Sequence, residues 1–218
     1  ASFEITDIPL IEYAASKHKP MVLATGIATE EDIQLAVEAC RRMGNNDITV
    51  LKCTSSYPAP VEEANLCMIR DLAERFQVKS GLSDHTLGSV SPIVAVTQGA
   101  SMIEKHFILN RSIGGPDCSF SMEEKDFAQM VKDVRMAELS LGKTTYELTE
   151  KMRGSRSASR SLYVAEDMKA GEVITERNVR SVRPGFGLHP KYLKDILGKN
   201  VNRDLEKGTR FALEYVNG

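Results

Sequence analysis

The chain has 218 residues, with 28 Lys and Arg against 30 Asp and Glu, for a formal net charge of -2. A composition of 42% hydrophobic and 27% charged residues describes a globular protein, and the balanced charge offers no basic field for nucleic acid or an anionic membrane surface. No apolar run reaches the roughly 18–20 residues of a membrane span, and no secretory leader is visible, which sets the expectation of a cytoplasmic protein.

In chain order, "ASFEITDIPL" comes first, without a methionine. It reads as the interior of a longer protein, with residues 2–5 as the tail of an earlier strand. Short apolar or β-branched runs at 21–24, 48–52, 78–82 and 102–107 read as strands. Helical patterns stand between them. Thr29-Glu30-Glu31-Asp32 has the form of a capping box, Ile33, Val37 and Cys40 line one face, and Gly44 follows as a C-terminal stop. A second helix is predicted over 61–76, with Leu66, Ile69, Leu72 and Phe76 at helical spacing. Pro92 opens a shorter one that ends before Gly99. Ser121-Met122-Glu123-Glu124 reads as another capping box, leading into a stripe of Phe127, Met130, Val131 and Val134.

Strand–helix alternation of this kind implies parallel β-structure with crossover helices. No G-x-G-x-x-G follows a strand, which disfavours a dinucleotide-binding sheet. Polar residues instead gather where successive strands end: Thr25-Gly26, Lys52 to Ser55, Ser83 to His85, and Glu104 to His106. That is the habit of a (β/α)₈ barrel, of which residues 1–142 supply about half. Residues 143–160, rich in Ser and Arg, read as an extended linker. Residues 161–218 read as a small β-rich module in which "DMKAGEVI" and "DLEKGTRF" echo each other. Cys40, Cys53, Cys67 and Cys118 show no C-x-x-C spacing, so reduced thiols are expected.

His85 and His106 each end a strand-like run and each follows an acid. The residues alone leave two readings open: the imidazoles hydrogen-bond to backbone at two strand ends, or they meet and hold a metal.

"LKCTSSYPAP", "GLSDHTLG", "MIEKHF" and "SLYVAEDMKAGEVITERNVRSVRPGFGLHPKYL" together resemble the sialic acid (nonulosonic acid) synthase family over essentially the whole chain. The resemblance implies the second half of a (β/α)₈ TIM barrel followed by an antifreeze-like (SAF) domain of β-clip type. It also implies an enzyme, a transferase that condenses phosphoenolpyruvate with an open-chain N-acylated amino sugar. The wording of "ASFEITD", "KCTSSYP" and "RPGFGLHPKY" is most similar to the branch whose sugar is 2,4-diacetamido-2,4,6-trideoxy-altrose. Synthases for N-acetylneuraminic and legionaminic acids share most of this frame, and a non-catalytic sugar-binding protein on the same fold is the rival from another class.

By the same resemblance His85 and His106 are metal ligands, for Mn²⁺ with Mg²⁺ or Co²⁺ as substitutes. Glu104 and Glu4 are catalytic carboxylates. Ser2, Ser55, Tyr57, Ser83, Asp117 and Arg183 contact substrate, and Arg183 reaches into the barrel of the other subunit of a homodimer. Two positions depart from the family pattern: Ser55 stands where asparagine is common, and Ala24 where serine is. The family's phosphate lysine precedes residue 1, so the chain alone is expected to be inactive. By pleat alternation, Lys52 need not point inward.

Overall fold

A computed structural model describes residues 1–217, which divide into two compact units, Ala1–Lys143 and the remainder from Thr144. In the first unit four strands run parallel in the order β1-β2-β3-β4: β1 Met21–Ala24, β2 Ile48–Cys53, β3 Lys79–Asp84 and β4 Ile103–Lys105. Helices α2 (Glu30–Arg42), α3 (Met68–Phe76) and α4 (Val90–Thr97) make the crossovers, and α5 (Glu124–Leu141) follows β4. This is an α/β half-barrel whose two central strands, β2 and β3, are buried along nearly their whole length, as a parallel sheet covered on both faces demands.

The register fixes which side chains face which way. Cys53 pairs with Ser83, and Ser83 with Glu104, while Lys52 pairs with Leu82, and Leu82 with Ile103. Leu82 packs with Ile69 and Ala95 of the flanking helices, so the Lys52–Leu82–Ile103 row is the outer, helix-facing one. The Cys53–Ser83–Glu104 row faces inward, where Ala24, Leu51 and Cys53 form a small cluster. Gly81 is needed where it stands, because a Cβ there would lie 2.4 Å from the Met102 carbonyl oxygen.

Thr29 caps α2 through the full reciprocal box with Asp32, which holds the Asp32 carboxyl below its ordinary value by accepting from the Thr29 backbone and hydroxyl. Elsewhere the sequence expectations need correction. Residues 2–4 form a 3₁₀ turn, not a strand tail, and a helix α1 (Ile8–Ala15), capped by Asp7, follows it unannounced. The helix expected from residue 61 begins only at Met68, because Asn65 takes a left-handed φ of 46° and interrupts the rise. Ser121 does not cap α5. Its hydroxyl donates to the Asp117 carbonyl, and Glu123 holds the N-cap position instead. Of the α5 stripe, Met130 alone is buried, and Val131 is exposed. No helix among the described residues is long and apolar enough to cross a membrane.

The second unit begins with polar chain that is not wholly extended: Thr149 caps a short helix α6 (Glu150–Ser155). Strands β5 (Ser161–Val164) and β6 (Val179–Val182) pair antiparallel. Around them Leu162, Met168, Ile174, Val179, Ile196, Val201 and Phe211 form the core, and Ile196 lies in the short helix α7 (Leu193–Ile196). The two echoed segments pack as a reciprocal pair. Met168 and Leu205 exchange both backbone hydrogen bonds, Asp204 accepts from the Ala170 amide at 2.9 Å, and Asp167 accepts from the Lys207 amide at 2.7 Å.

Candidate active site at the strand ends

His85 and His106 follow β3 and β4 directly, and the inward parity of Ser83 and Glu104 carries on to them. Their ring centroids lie 5.1 Å apart. The Nδ1 of His85 sits 2.9 Å from the Thr54 carbonyl oxygen, which fixes the proton on Nδ1 and leaves the Nε2 lone pair free. On His106, Nδ1 lies 3.6 Å from Asp117 Oδ2. His85 is thus oriented through one nitrogen by a carbonyl oxygen, the usual support of a metal-binding histidine, while His106 has the Asp117 carboxylate close by but outside hydrogen-bond range.

Two imidazoles at this spacing fit one divalent ion, and the donor set tells which kind of site it is. Among the described residues no group of three or more His, Cys, Asp and Glu converges on a point. An ion held here would meet two ligands from this chain, which leaves further positions for water, substrate or the rest of the protein, unlike a closed structural site built from this chain.

Aromatic rings wall the pair. The Tyr57 ring centroid lies 4.3 Å from that of His85 and 6.0 Å from that of His106, and Phe120 lies 5.0 Å from His106 and 5.8 Å from Tyr57. Beneath them Ser83 Oγ donates to Glu104 Oε1 at 2.7 Å. Ser2 Oγ donates to Cys53 Sγ at 3.3 Å and accepts from the Gly26 amide at 3.1 Å. Gly26 has no room for a side chain, since a Cβ would lie 2.0 Å from Ser55 Oγ and 2.7 Å from Ser2 Oγ. The buried Ser55 hydroxyl has no hydrogen-bond partner, an unmet polar atom beside the amide and hydroxyl of this cluster.

Burial alone would push the Cys53 thiol up, but bonds from His85 and Ser2 and the His85 charge outweigh it and hold the thiol below its ordinary value. Burial likewise pushes His85 down, but Cys53, the Thr54 carbonyl and Asp84 outweigh it, so the net direction is upward. Tyr57 is raised by burial first, then by the charges of Cys53 and Asp117.

The sequence-predicted residues do not all converge. His85, His106, Ser83, Glu104, Tyr57 and Asp117 form one connected cluster, and Ser2 and Ser55 join it through Cys53 and Gly26. Glu4 does not share a face with Ser2: the 3₁₀ turn buries Ser2 and leaves Glu4 exposed. Lys52 faces the helix side. It donates to the Cys53 carbonyl and Thr54 Oγ1, and it lines a cavity of about 450 Å³ that runs from Ile33, Met68 and Leu72 to Thr25, Gly26 and Cys53 and that neither histidine lines. Arg183 is exposed in the second unit. Sequence reasoning missed Cys53 and Phe120. Strand parity, which places Cys53 in register with Ser83, was a usable signal for the first, whereas Phe120 lies in irregular chain with no periodicity to mark it.

A parallel half-barrel with an imidazole pair, a bonded carboxylate and a hydroxyl cluster at its strand ends, followed by a small β-module, defines an α/β-barrel type of protein with an appended domain. The chain belongs to the NeuB family, whose model matches residues 1–146, and a SAF domain model matches residues 159–211. It is 49% identical over 217 residues to a pseudaminic acid synthase of Helicobacter pylori, covering 99% of this chain and 64% of that protein. It is 33% identical over 220 residues to an N,N'-diacetyllegionaminic acid synthase of Legionella pneumophila, covering 99% of this chain and 62% of that protein. Among solved structures, the spore coat polysaccharide biosynthesis protein SpsE of Bacillus subtilis aligns with a TM-score of 0.62 at 31% identity, over 100% of this chain and 66% of the other. The chain therefore spans just under two thirds of the length of the curated relatives it matches.

Proposed function

We propose that the protein containing this chain is a pseudaminic acid synthase, which condenses phosphoenolpyruvate with 2,4-diacetamido-2,4,6-trideoxy-altrose to give pseudaminic acid and phosphate. The observation that carries the reading is the meeting of His85 and His106 above the Ser83–Glu104 pair, in a chain more similar to a pseudaminic than to a legionaminic acid synthase.

In the reaction, carbon 3 of phosphoenolpyruvate attacks the sugar aldehyde, water adds at carbon 2, and phosphate leaves. His85 and His106 would hold a divalent ion, Mn²⁺ before Mg²⁺ or Co²⁺, which supplies Lewis-acid polarisation of the aldehyde when bound. Ser83 engages Oε1 of Glu104 and leaves Oε2 free to take a proton from the attacking water. Tyr57 and Phe120 pack against the imidazoles and shape the entrance to them. Ser2, Ser55 and the Gly26 amide stand where phosphate oxygens can be met, and Asp117 is placed to accept from sugar hydroxyls. Arg183, a rigid fork of donors, would meet the sugar acyl group in the barrel of a second copy, which makes the enzyme a homodimer. It works in the cytoplasm, with neither nucleic acid nor membrane as a partner.

Phosphate release from the full-length protein, with phosphoenolpyruvate, Mn²⁺ and a panel of amino sugars, tests this reading. Turnover is expected with the altro-configured diacetamido sugar. Activity confined to N-acetylmannosamine or to the legionaminic acid precursor would replace the assignment with a sister synthase, and no activity with any sugar would point to a binding protein.

A further inference from the structure

One position before each imidazole, on the opposite face of the strands, Asp84 and Lys105 are register partners. Lys105 Nζ donates to Asp84 Oδ2 at 2.6 Å and to the Thr86 carbonyl at 2.5 Å. The side chains are 1% and 2% exposed. The other carboxylate oxygen, Asp84 Oδ1, accepts from both the amide and the hydroxyl of Thr86 at 2.9 and 2.8 Å, and Ser91 in α4 bonds to that hydroxyl. A buried ion pair is a poor source of net stability, because desolvation offsets the attraction. This one also lies at the last rung of the β3–β4 ladder, where backbone pairing stops and the two histidines begin.

We propose that Asp84 and Lys105 are positioning residues that set the spacing of His85 and His106 for a shared divalent ion. The proposal rests on the metal-site reading above. Beyond Asp84 and Lys105 no β3–β4 register pair remains to hold the strand ends together. On the inner face Ser83–Glu104 ties the two strands, and on the outer face Asp84–Lys105 ties them one residue further on. The Thr86 bonds extend the outer clasp around His85, with Asp84 and Thr86 gripping the chain on either side of it. This chain brings two ligands to the ion, and their separation sets how well both can reach it, so the clasp controls affinity.

The test is Mn²⁺ uptake by the full-length protein, followed by the electron paramagnetic resonance of free Mn²⁺ alongside thermal melting. Asp84→Asn alone leaves a buried ammonium without its counter-ion and is prone to unfold. Asp84→Asn/Lys105→Met removes both charges together, keeps the net charge, and should fold, since neutral replacements of buried pairs are tolerated. Its Mn²⁺ affinity is expected to fall about tenfold or more, the usual cost of losing outer support of a ligand, while its melting midpoint stays near that of the wild type. A folded double variant that binds Mn²⁺ within twofold of wild type overturns the clasp. Wild-type protein that takes up no Mn²⁺ overturns the metal site itself. Should the double variant not fold, Thr86→Val decides, since it removes one donor to Asp84 and leaves the charges paired. Weaker Mn²⁺ binding there supports the clasp, and unchanged binding overturns it.

Discussion

Ser83 and Glu104 face each other across the β3–β4 register, and the serine hydroxyl donates to the glutamate at 2.7 Å. This bond leaves one carboxylate oxygen free while fixing the direction in which it points. As the proton acceptor for water, Glu104 should be hard to replace. Glu104→Gln is expected to lower kcat by about 10²-fold or more, the usual scale of positioned acid–base help. Ser83→Ala, which frees the carboxylate to rotate, should cost less. Steady-state phosphate release with Mn²⁺ uptake measured in parallel checks both. A Glu104→Gln enzyme at wild-type rate would remove Glu104 from the chemistry.

The imidazole pair predicts a dependence on metal. Exhaustive chelation of the full-length enzyme should abolish turnover, and Mn²⁺ should restore it. His85→Ala or His106→Ala should remove both Mn²⁺ uptake and restoration, because a single remaining imidazole is a weak anchor for a divalent ion. Retention of activity by either variant would refute the metal role.

Much of this was legible in the sequence because parallel strands declare themselves. Short apolar or β-branched runs, each followed by a polar end, locate β1 to β4 to within two residues at every strand end and mark His85 and His106 at two of those ends, though whether they meet stayed open on the residues alone. What was not legible depends on geometry finer than period. Residues 2–4 alternate like a strand but turn as 3₁₀, where residues two apart no longer share a face, so Ser2 is buried and Glu4 is not. The helix expected from residue 61 was cut by a left-handed Asn65, and the Ser121 hydroxyl found a tertiary acceptor in preference to its local cap. Cys53 looks like one more apolar strand residue until the register sets it against Ser83 and under His85.

Lys52 offers a sharp negative prediction. It stands at the end of β2 as a phosphate-binding lysine would, yet its ammonium is spent on the Cys53 carbonyl and the Thr54 hydroxyl on the helix side. Burial pushes it below its ordinary value. Lys52→Met is expected to change the KM for phosphoenolpyruvate by less than about threefold, within the scatter of substitutions away from special features. A large rise in KM with unchanged kcat would place Lys52 on the phosphate after all.

The reciprocal aspartates of the second unit predict how its stability varies with pH. Asp204 accepts from Lys169 Nζ at 2.7 Å and from the Ala170 amide, and these bonds hold its carboxyl below the ordinary 3.8. The same contact raises Lys169 above 10.5. A carboxyl depressed by folding contributes stability that is fully present above its unfolded value and is lost as the pH falls through the folded one. A raised ammonium contributes stability that is fully present below 10.5 and is lost as the pH climbs through its folded value. The contribution should therefore be level between 3.8 and 10.5 and decline outside that window. Asp204→Ala is expected to lower the melting midpoint of this unit throughout the level range. The gap from wild type should narrow below pH 3.8, but not close fully, because the Ala170 amide still lacks its acceptor. Melting curves of the two proteins across that range check the sign, and a gap that widens in acid would show that Asp204 does not act as the charged acceptor.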